Sequence, residues 1–558
     1  MKNTKVLVMG ALTALLAVGG LTGCNKNSGK DTYDKKGRLI LNLKNVYFDA
    51  WEGEDVYTEA LNEKFGVSVK ASNYDFNSWD EMVNTAINGD NLTDVFHFNL
   101  KAYNFGSTYE RWVDDLMCKA LPDDLSKWPN LKSMLDNISN LNALKINGKL
   151  YCIPIANDIT NPNKDFSNFT YVYRRDWAKK IDEENSGKAG YTPVYKEGDV
   201  YTWEEFERLV KAFATYVPKA GYADSDKACA MVDEKWGFPS VTNFFKDAPH
   251  CYTKDSNGKA INAFTSDGYM QGLEVAKNFV KSQYYSQDQY NFQEGTANKQ
   301  YTAGLAAILY DNFNLANYIT LRQTFKDAAN PVPSVDDATA LLKVKGDDGK
   351  FSLEGTENWF GATLFNYKIS DTKMNKILDI IDYLLSEEGT RYAVYGKEGY
   401  DYSIVTGDDY DYLVGDKKIK LNPSNWEKNP QTGKYGSKPN GGKYLRYMAT
   451  LGADTKPFDP FNDINKDAFD ILNAWSEEMK TAKAANGLRV FKEPEDIAWM
   501  STPTKNSKTE SLLADANVYA TKYAFNKDLT DATKYKAEFD KNVNWGRVLN
   551  EINAKLGK

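Results

Sequence analysis

The sequence predicts an α/β protein of two or three lobes, each built around a mainly parallel sheet. Three observations carry this. From Arg38 onward short β-rich runs alternate with amphipathic helices, a pattern that implies right-handed crossovers between parallel strands. The chain of 558 residues is too long for a single hydrophobic core. Its composition, 42% apolar and 26% charged, is that of a soluble globular protein.

The elements follow in order. Residues 38–48 (RLILNLKNVYF) read as a strand, 54–66 as a helix stopped by Gly66, and VSVKAS as a second strand. SWDEMVNTAING is a helix ending at Asn88-Gly89, and 93–98 (TDVFHF) a third strand. Ligands in such sheets lie beyond the carboxyl ends of the strands, which marks Tyr47 to Trp51 and Phe96 to Asn99. The run 144–155 (LKINGKLYCIPI) is a hairpin turning at Asn147-Gly148, and a new segment opens with FTYVYRRDW (169–177). Residues 202–217 form a helix with a Thr202/Glu205 capping box and a buried face of Trp203, Phe206, Leu209, Val210 and Phe213.

A second hairpin spans 251–264; Asp255 and Asn257 lack the spacing and distal Glu of a calcium loop, so the turn is a solvated one. After a helix near 267–282, residues 301–319 hold a helix end, an apolar strand and a polar-aromatic turn. The strand end Tyr310-Asp311-Asn312-Phe313 is a further ligand-facing position. Residues 357–365 are a strand, and 371–389 a helix burying Met374, Ile377, Leu378, Ile381 and Leu385. Tyr400 to Gly442 reads as a long functional loop. From about Lys466 the chain is helical, the last helix carrying Trp545, Leu549, Ile552 and Leu556 on one face.

The amino terminus sets the compartment. Lys2 and Lys5, an apolar run from Val6 to Gly20 and then Leu21-Thr22-Gly23-Cys24 make a secretory signal too short to span a membrane. An aliphatic residue, two small ones and a cysteine resemble the bacterial lipobox, which implies cleavage after residue 23 and a lipid on Cys24. Asn25 to Gly37 has no apolar period and reads as a flexible tether. The expected location is extracytoplasmic, held to a membrane by lipid.

Composition and motifs exclude much chemistry. A formal charge of -8 argues against nucleic acid and anionic lipid headgroups. With Cys24 lipidated, Cys118, Cys152, Cys229 and Cys251 allow three pairings or four buried thiols, and no C-x-x-C occurs. His97 and His250 are the two histidines, neither beside metal-type ligands, so no metal, no cofactor and no Ser-His catalysis are expected. P-loop, G-x-S-x-G, H-E-x-x-H and dinucleotide signatures are missing. With 77 acidic residues, no carboxylate pair is selected by sequence.

Taken in order, the lipobox, LTDVFHF, INGKLYCIPI with FTYVYRRDW, TWEEFERLVKAF, NGKAINAFTSDGYMQGLEVAKNFV, YTAGLAAILYDNF and KILDIIDYLLSEEGTRYAVYGKEGYDY (376–402) resemble the family 1 extracellular solute-binding proteins of ABC importers. They span nearly the whole chain. The resemblance implies a two-lobed periplasmic-binding-protein-like fold of type II, hinged, with several chain crossings. Residues 38–155 with about 366–465 would form lobe 1, and 156–365 with about 466–558 lobe 2. It also implies a non-catalytic, monomeric receptor that passes an oligosaccharide to a permease. By resemblance Phe313 would stack on the ligand and Trp236, in EKWGFPSVTNFF, would be a second aromatic contact. Some relatives carry a calcium loop after the KAF helix; PKAGYADSDKACA is too poor in ligands for one.

Sugar chemistry gives an independent argument. A sugar ring offers flat C–H patches for aromatic stacking and a rim of hydroxyls for Asp, Asn, Glu and Arg. Trp51, Tyr74, Phe98, Asn99, Trp236, Asp311, Asn312, Phe313 and Trp359 lie at strand ends or loops beside polar side chains and form the expected ligand set. Two alternatives stand: an extracellular glycan-active enzyme, told apart by product formation, and a receptor of the same fold for a uronic-acid oligomer or peptide. The second requires Arg174 and Arg175 to line the cleft.

Overall fold

The computed structural model describes residues 31–558 apart from 46–55, 75–78, 99–108, 139, 157–167, 221–226, 236, 246–251, 329–331, 356–358, 411, 415–416, 426–462, 499, 501, 526–528, 530 and 544. The signal segment, Cys24, Trp51, Asn99, Trp236, His250 and Cys251 therefore lie outside the described residues.

Two five-stranded sheets organise the chain. The first runs Val67–Asn73, Leu39–Asn45, Val95–Phe98, Trp359–Phe365, Cys152–Ala156. Leu39 pairs with Val67 and Leu43 with Val95 in parallel, as the alternation of short strand and short helix requires. Trp359–Phe365 returns from far along the chain and is inserted antiparallel, with Leu364 opposite both Phe96 and Cys152. The second sheet runs Val200–Tyr201, Ala340–Val344, Phe169–Tyr173, Ala306–Asn312, Cys229–Asp233. It is mixed rather than mainly parallel: Ala306–Asn312 lies parallel to Cys229–Asp233 and antiparallel to Phe169–Tyr173.

Each sheet has its own core. Leu41, Val69, Phe96, Trp112, Ile153, Leu364 and Leu378 belong to the first, drawn from residues 39–155 and 359–384. The other clusters come from 171–353 and 468–552. This division is the two-lobed architecture. The strand Trp359–Phe365 sits in the first sheet, so the boundary expected at residue 365 falls on its wrong side and the return crossing precedes it.

Local signals explain most elements. Gly66 ends the helix Val56–Phe65 at φ 64°, a left-handed position natural to glycine. Asn147 and Gly148, at φ 50° and 77°, form the two-residue turn that suits the right-handed twist of a hairpin. The helix Trp203–Tyr216 carries the full capping box, Thr202 accepting from Glu205 N while Glu205 accepts from Thr202 N. In Asp371–Leu385 the predicted face is buried, with Leu384 rather than Leu385 completing it.

Three expectations are corrected. The region from Tyr400 is not wholly loop: Tyr402–Val405, Tyr412–Val414 and Lys417–Leu421 form a small antiparallel sheet. Leu488–Phe491, inside the stretch read as helical, pairs in parallel with Phe351–Glu354. The tether gives way to order before Gly37. Asp34 accepts from Lys36 N, Arg38 N and Arg38 Nε, and Ile40 N donates to the Thr32 carbonyl.

Candidate site at the carboxyl edges of the two sheets

Each sheet has one edge at which its parallel strands end. Asn45, Phe98 and Ala156 end their strands, and Trp359 begins its antiparallel strand, on one edge of the first sheet. Asp233, Asn312 and Val344 end theirs, and Phe169 begins its own, on one edge of the second. In chain order the strand Cys152–Ala156 of the first sheet is followed by Phe169–Tyr173 of the second.

On the second edge the strand end prepares a polar cleft of about 530 Å³, lined among others by Phe169, Glu234, Asn298, Asp311, Asn312 and Asn317. Asn298, from the helix Thr296–Thr302, donates through Nδ2 to Asp311 at 2.7 Å and to Glu234 at 3.3 Å. Asp311 also accepts from Asn312 N at 2.7 Å, and Glu234 from Gly295 N at 2.8 Å. Asn317 Nδ2 donates to the Asn312 carbonyl. Burial pushes the Asp311 carboxyl up to about 6, and the charges of Glu234 and Glu294 act in the same direction, against hydrogen bonds from Asn298 and Asn312 N.

The polypeptide beside this cleft is fixed from beneath. Asp233 is fully buried and accepts from Ser240 N and Ser240 Oγ at 2.8 Å and from Tyr285 Oη at 2.9 Å. Gln289 closes the main chain on both sides, accepting from Asp233 N and donating to its carbonyl. Burial raises the Asp233 carboxyl to about 7. Gly237 donates to the Glu234 carbonyl, and a Cβ there would meet Tyr310 Cδ1 at 2.5 Å, so only glycine lets this turn lie on the Tyr310 ring.

The first edge is locked by His97. Its Nδ1 faces the Lys44 carbonyl at 3.2 Å, and its Nε2 faces Asn45 Nδ2 at 3.1 Å and Thr363 Oγ1 at 2.8 Å. Proton on Nδ1 and lone pair on Nε2 satisfy all three contacts. Burial lowers the imidazole to about 4 and keeps it neutral.

The expected ligand residues divide. Asp311 and Asn312 reach the cleft. Tyr74, Phe98, Phe313 and Trp359 are each at most 2% exposed: Phe98 packs edge-on to Trp112 at 4.6 Å and Phe313 edge-on to Tyr318 at 6.0 Å. Strand-end aromatics here turn inward to close the cores, and the half-buried Phe169 is the ring left at the second edge. Glu234, Asn298, Phe169 and Asn317 were not anticipated. Glu234 is the first residue of the EKWGFPSVTNFF segment and was within reach of the strand-end rule; Asn298, on a helix face, carries no sequence signal.

Arg174 and Arg175 do not meet the requirement set for an acidic ligand. Arg174, 2% exposed, pairs with Asp176 and lies over the Trp177 ring, while Arg175 pairs with Asp199 and Asp337. Cys118, Cys152 and Cys229 are buried free thiols. Among the described residues no group of three His, Cys, Asp or Glu is placed to hold a metal; part of the segment compared with a calcium loop, 221–226, lies outside them.

No protein-family model matches the sequence, and no curated protein matches it. Solved structures do match its fold. An extracellular solute-binding protein from Bifidobacterium longum subsp. infantis superposes with a TM-score of 0.61 at 13% identity, covering 94% of this chain and 99% of that one. The alginate-binding protein AlgQ2 gives 0.59 at 14% identity, covering 93% and 98%. The ABC-transporter substrate-binding protein FusA of Streptococcus pneumoniae, in complex with kestose, gives 0.54 at 16% identity, covering 92% and 98%. The chain thus shares the two-lobed fold of these solute-binding proteins over 92–94% of its length.

Proposed function

We propose that the protein is a lipid-anchored receptor that captures a neutral oligosaccharide outside the cell and delivers it, unaltered, to the permease of an ABC importer. The observation that supports this most is the polar cleft at the carboxyl edge of the second sheet, in a fold shared with receptors of kestose and alginate. Asp311 and Asn312, both half-buried, offer carboxylate and carbonyl acceptors for hydroxyl rims, the buried Glu234 holds Asn298 in place beside them, and Phe169 offers a face for C–H patches.

Charge selects within the carbohydrate class. Alginate, the ligand of one structural neighbour, is a polyuronate. Here Glu234, Glu294 and Asp311 line the cleft against one cation among its described lining residues, Lys299, and Arg174 and Arg175 are engaged in ion pairs elsewhere. A neutral sugar suits this field; a polyanion does not.

One feature favours the enzymatic alternative: two carboxylates, one with a raised pKa, share a cleft. Incubating the purified protein with a neutral glycan array decides between the readings. The receptor binds at micromolar affinity or tighter, about -8 kcal/mol, and returns every glycan intact. Released product, or no bound glycan, overturns it. The anchor is tested by a metabolic fatty-acid label, which Cys24→Ala abolishes; a label that persists places the lipid elsewhere.

A further inference from the structure

We propose that the ligand chain extends beyond the cleft, its further units running along a groove on the flank of the second lobe between the helices Thr296–Thr302 and Leu315–Lys326. This rests on the oligosaccharide reading and deepens it, because it assigns a second binding segment and a preferred chain length.

A second cavity, of about 730 Å³, adjoins the cleft and shares Lys299, Thr302, Thr320 and Thr324 with it. Both helices begin at the carboxyl edge of the second sheet. Gly295, which precedes the first, donates to Glu234; Asn314, which caps the second, follows the strand that ends at Asn312. The space between them is therefore an open groove that adjoins the cleft at Asp311 and runs along the two helices away from the sheet edge.

Its outer part is lined by Ala303, Ile319, Gln323, Asp327 and Ala328. Ile319 and the two alanines present an apolar floor, and its sides present acceptors: the Thr302 and Thr324 hydroxyls, whose protons go to carbonyls of their own helices, and the Asp327 carboxylate, which takes one bond from Gln323 Nε2 at 2.7 Å. That combination suits a sugar, with its C–H faces and hydroxyl edges, better than it suits an ion or a wholly apolar molecule. Each half of the groove has the size of a small-ligand site, roughly 300–1,000 Å³, so together they hold a chain rather than a disaccharide. No aromatic ring lines the outer half, so its units bind more weakly than those in the cleft.

The test uses neutral oligosaccharides of graded length, two to eight units, in fructan, malto-, mannan- and lacto-type series, against the full-length mature protein. Ala303→Arg and Ala328→Arg place a long side chain in the outer groove from exposed positions. In the bound series, affinity of the parent should rise at least tenfold between the shortest and longest members. Both variants should lose that rise while binding the shortest member as the parent does. Affinity independent of length, or a rise that survives in both variants, overturns the groove and leaves the receptor standing. No binding at any length overturns the receptor reading and the groove with it. Sedimentation showing a parent dimer that both variants abolish, with sugar affinities unchanged, assigns the groove to a second copy and also overturns the proposal.

Discussion

Replacing Asp233 with Asn should change how stability depends on pH far more than it changes stability itself. The carboxyl is buried, and its folded pKa lies near 7 against an ordinary 3.8. A raised folded pKa means that the neutral acid is the form the fold holds. Its contribution is complete below 3.8 and is lost as pH rises to about 7, because over that interval the unfolded chain gives up a proton that the folded chain keeps. The window covers about three pH units at about 1.4 kcal/mol each, so about 4 kcal/mol of stability should disappear between pH 4 and pH 7.

The hydrogen bonds admit both the neutral acid and the amide. One carboxyl oxygen accepts from Ser240 N and Tyr285 Oη; the other meets only Ser240 Oγ, a hydroxyl that can turn to accept, since Tyr171 Oη lies 2.6 Å from it. In Asp233→Asn the new amide would place its NH2 on that side and retain the network without a titrating group. Guanidinium midpoints of parent and variant, measured in pairs from pH 4.5 to 7.5, isolate the difference from every other titration. The variant should gain on the parent by about 1.4 kcal/mol per pH unit through the lower part of that range. A difference that stays constant within about 1 kcal/mol, or one that grows in the parent's favour, would refute the reasoning.

Phe313→Ala should cost about 3–5 kcal/mol of stability in the second lobe, because the ring is core rather than platform; a melting temperature equal to the parent's would put it back at the ligand surface. Saturation with the bound oligosaccharide should reduce the radius of gyration in small-angle scattering, since a ligand that touches both sheet edges favours the closed state; an unchanged radius counts against closure.

The fold was legible where local chemistry and global topology agree. Alternation from Leu39 to Phe98, the Asn147-Gly148 turn and the Thr202 capping box each depend on residues close in sequence, and each appears in place. The polar half of the site was legible for the same reason: Asp311 and Asn312 end an unmistakable apolar strand. Partners supplied by distant elements were not. Asn298 looks like any helix-surface polar residue until the fold sets it against Asp311, and Phe313 obeys the strand-end rule yet turns inward onto Tyr318. The strand Leu488–Phe491 was hidden because its pairing partner, Phe351–Glu354, lies far earlier in the chain.

The two sheets bury groups of opposite pH sign, His97 in the first and Asp233 in the second, while Asp401, beside Tyr57 in the first lobe but outside its sheet, is raised by burial and opposes His97 there. In the first, His97 is held neutral with a folded pKa near 4 against an ordinary 6.5, so its contribution is complete above 6.5 and is lost as pH falls toward 4. In the second, Asp233, Asp311 and Glu493 are all raised by burial, so their contributions are lost as pH rises. Carboxyls lowered by ion pairs or backbone bonds, Asp34 and Glu388 in one lobe and Asp337 and Asp348 in the other, contribute stability that is complete only above the ordinary carboxyl pKa and is lost as pH falls through it, so they stay nearly constant above about pH 5. Between about pH 4.5 and 6.5, then, hydrogen-exchange protection should rise in the strands Leu39–Asn45 and Val95–Phe98 and fall in Cys229–Asp233 and Ala306–Asn312, after correction for intrinsic exchange. Whole-protein unfolding would hide this, because the slopes oppose one another. Protection that moves in the same direction in both sheets would show that the buried groups are not what sets the pH response of either lobe.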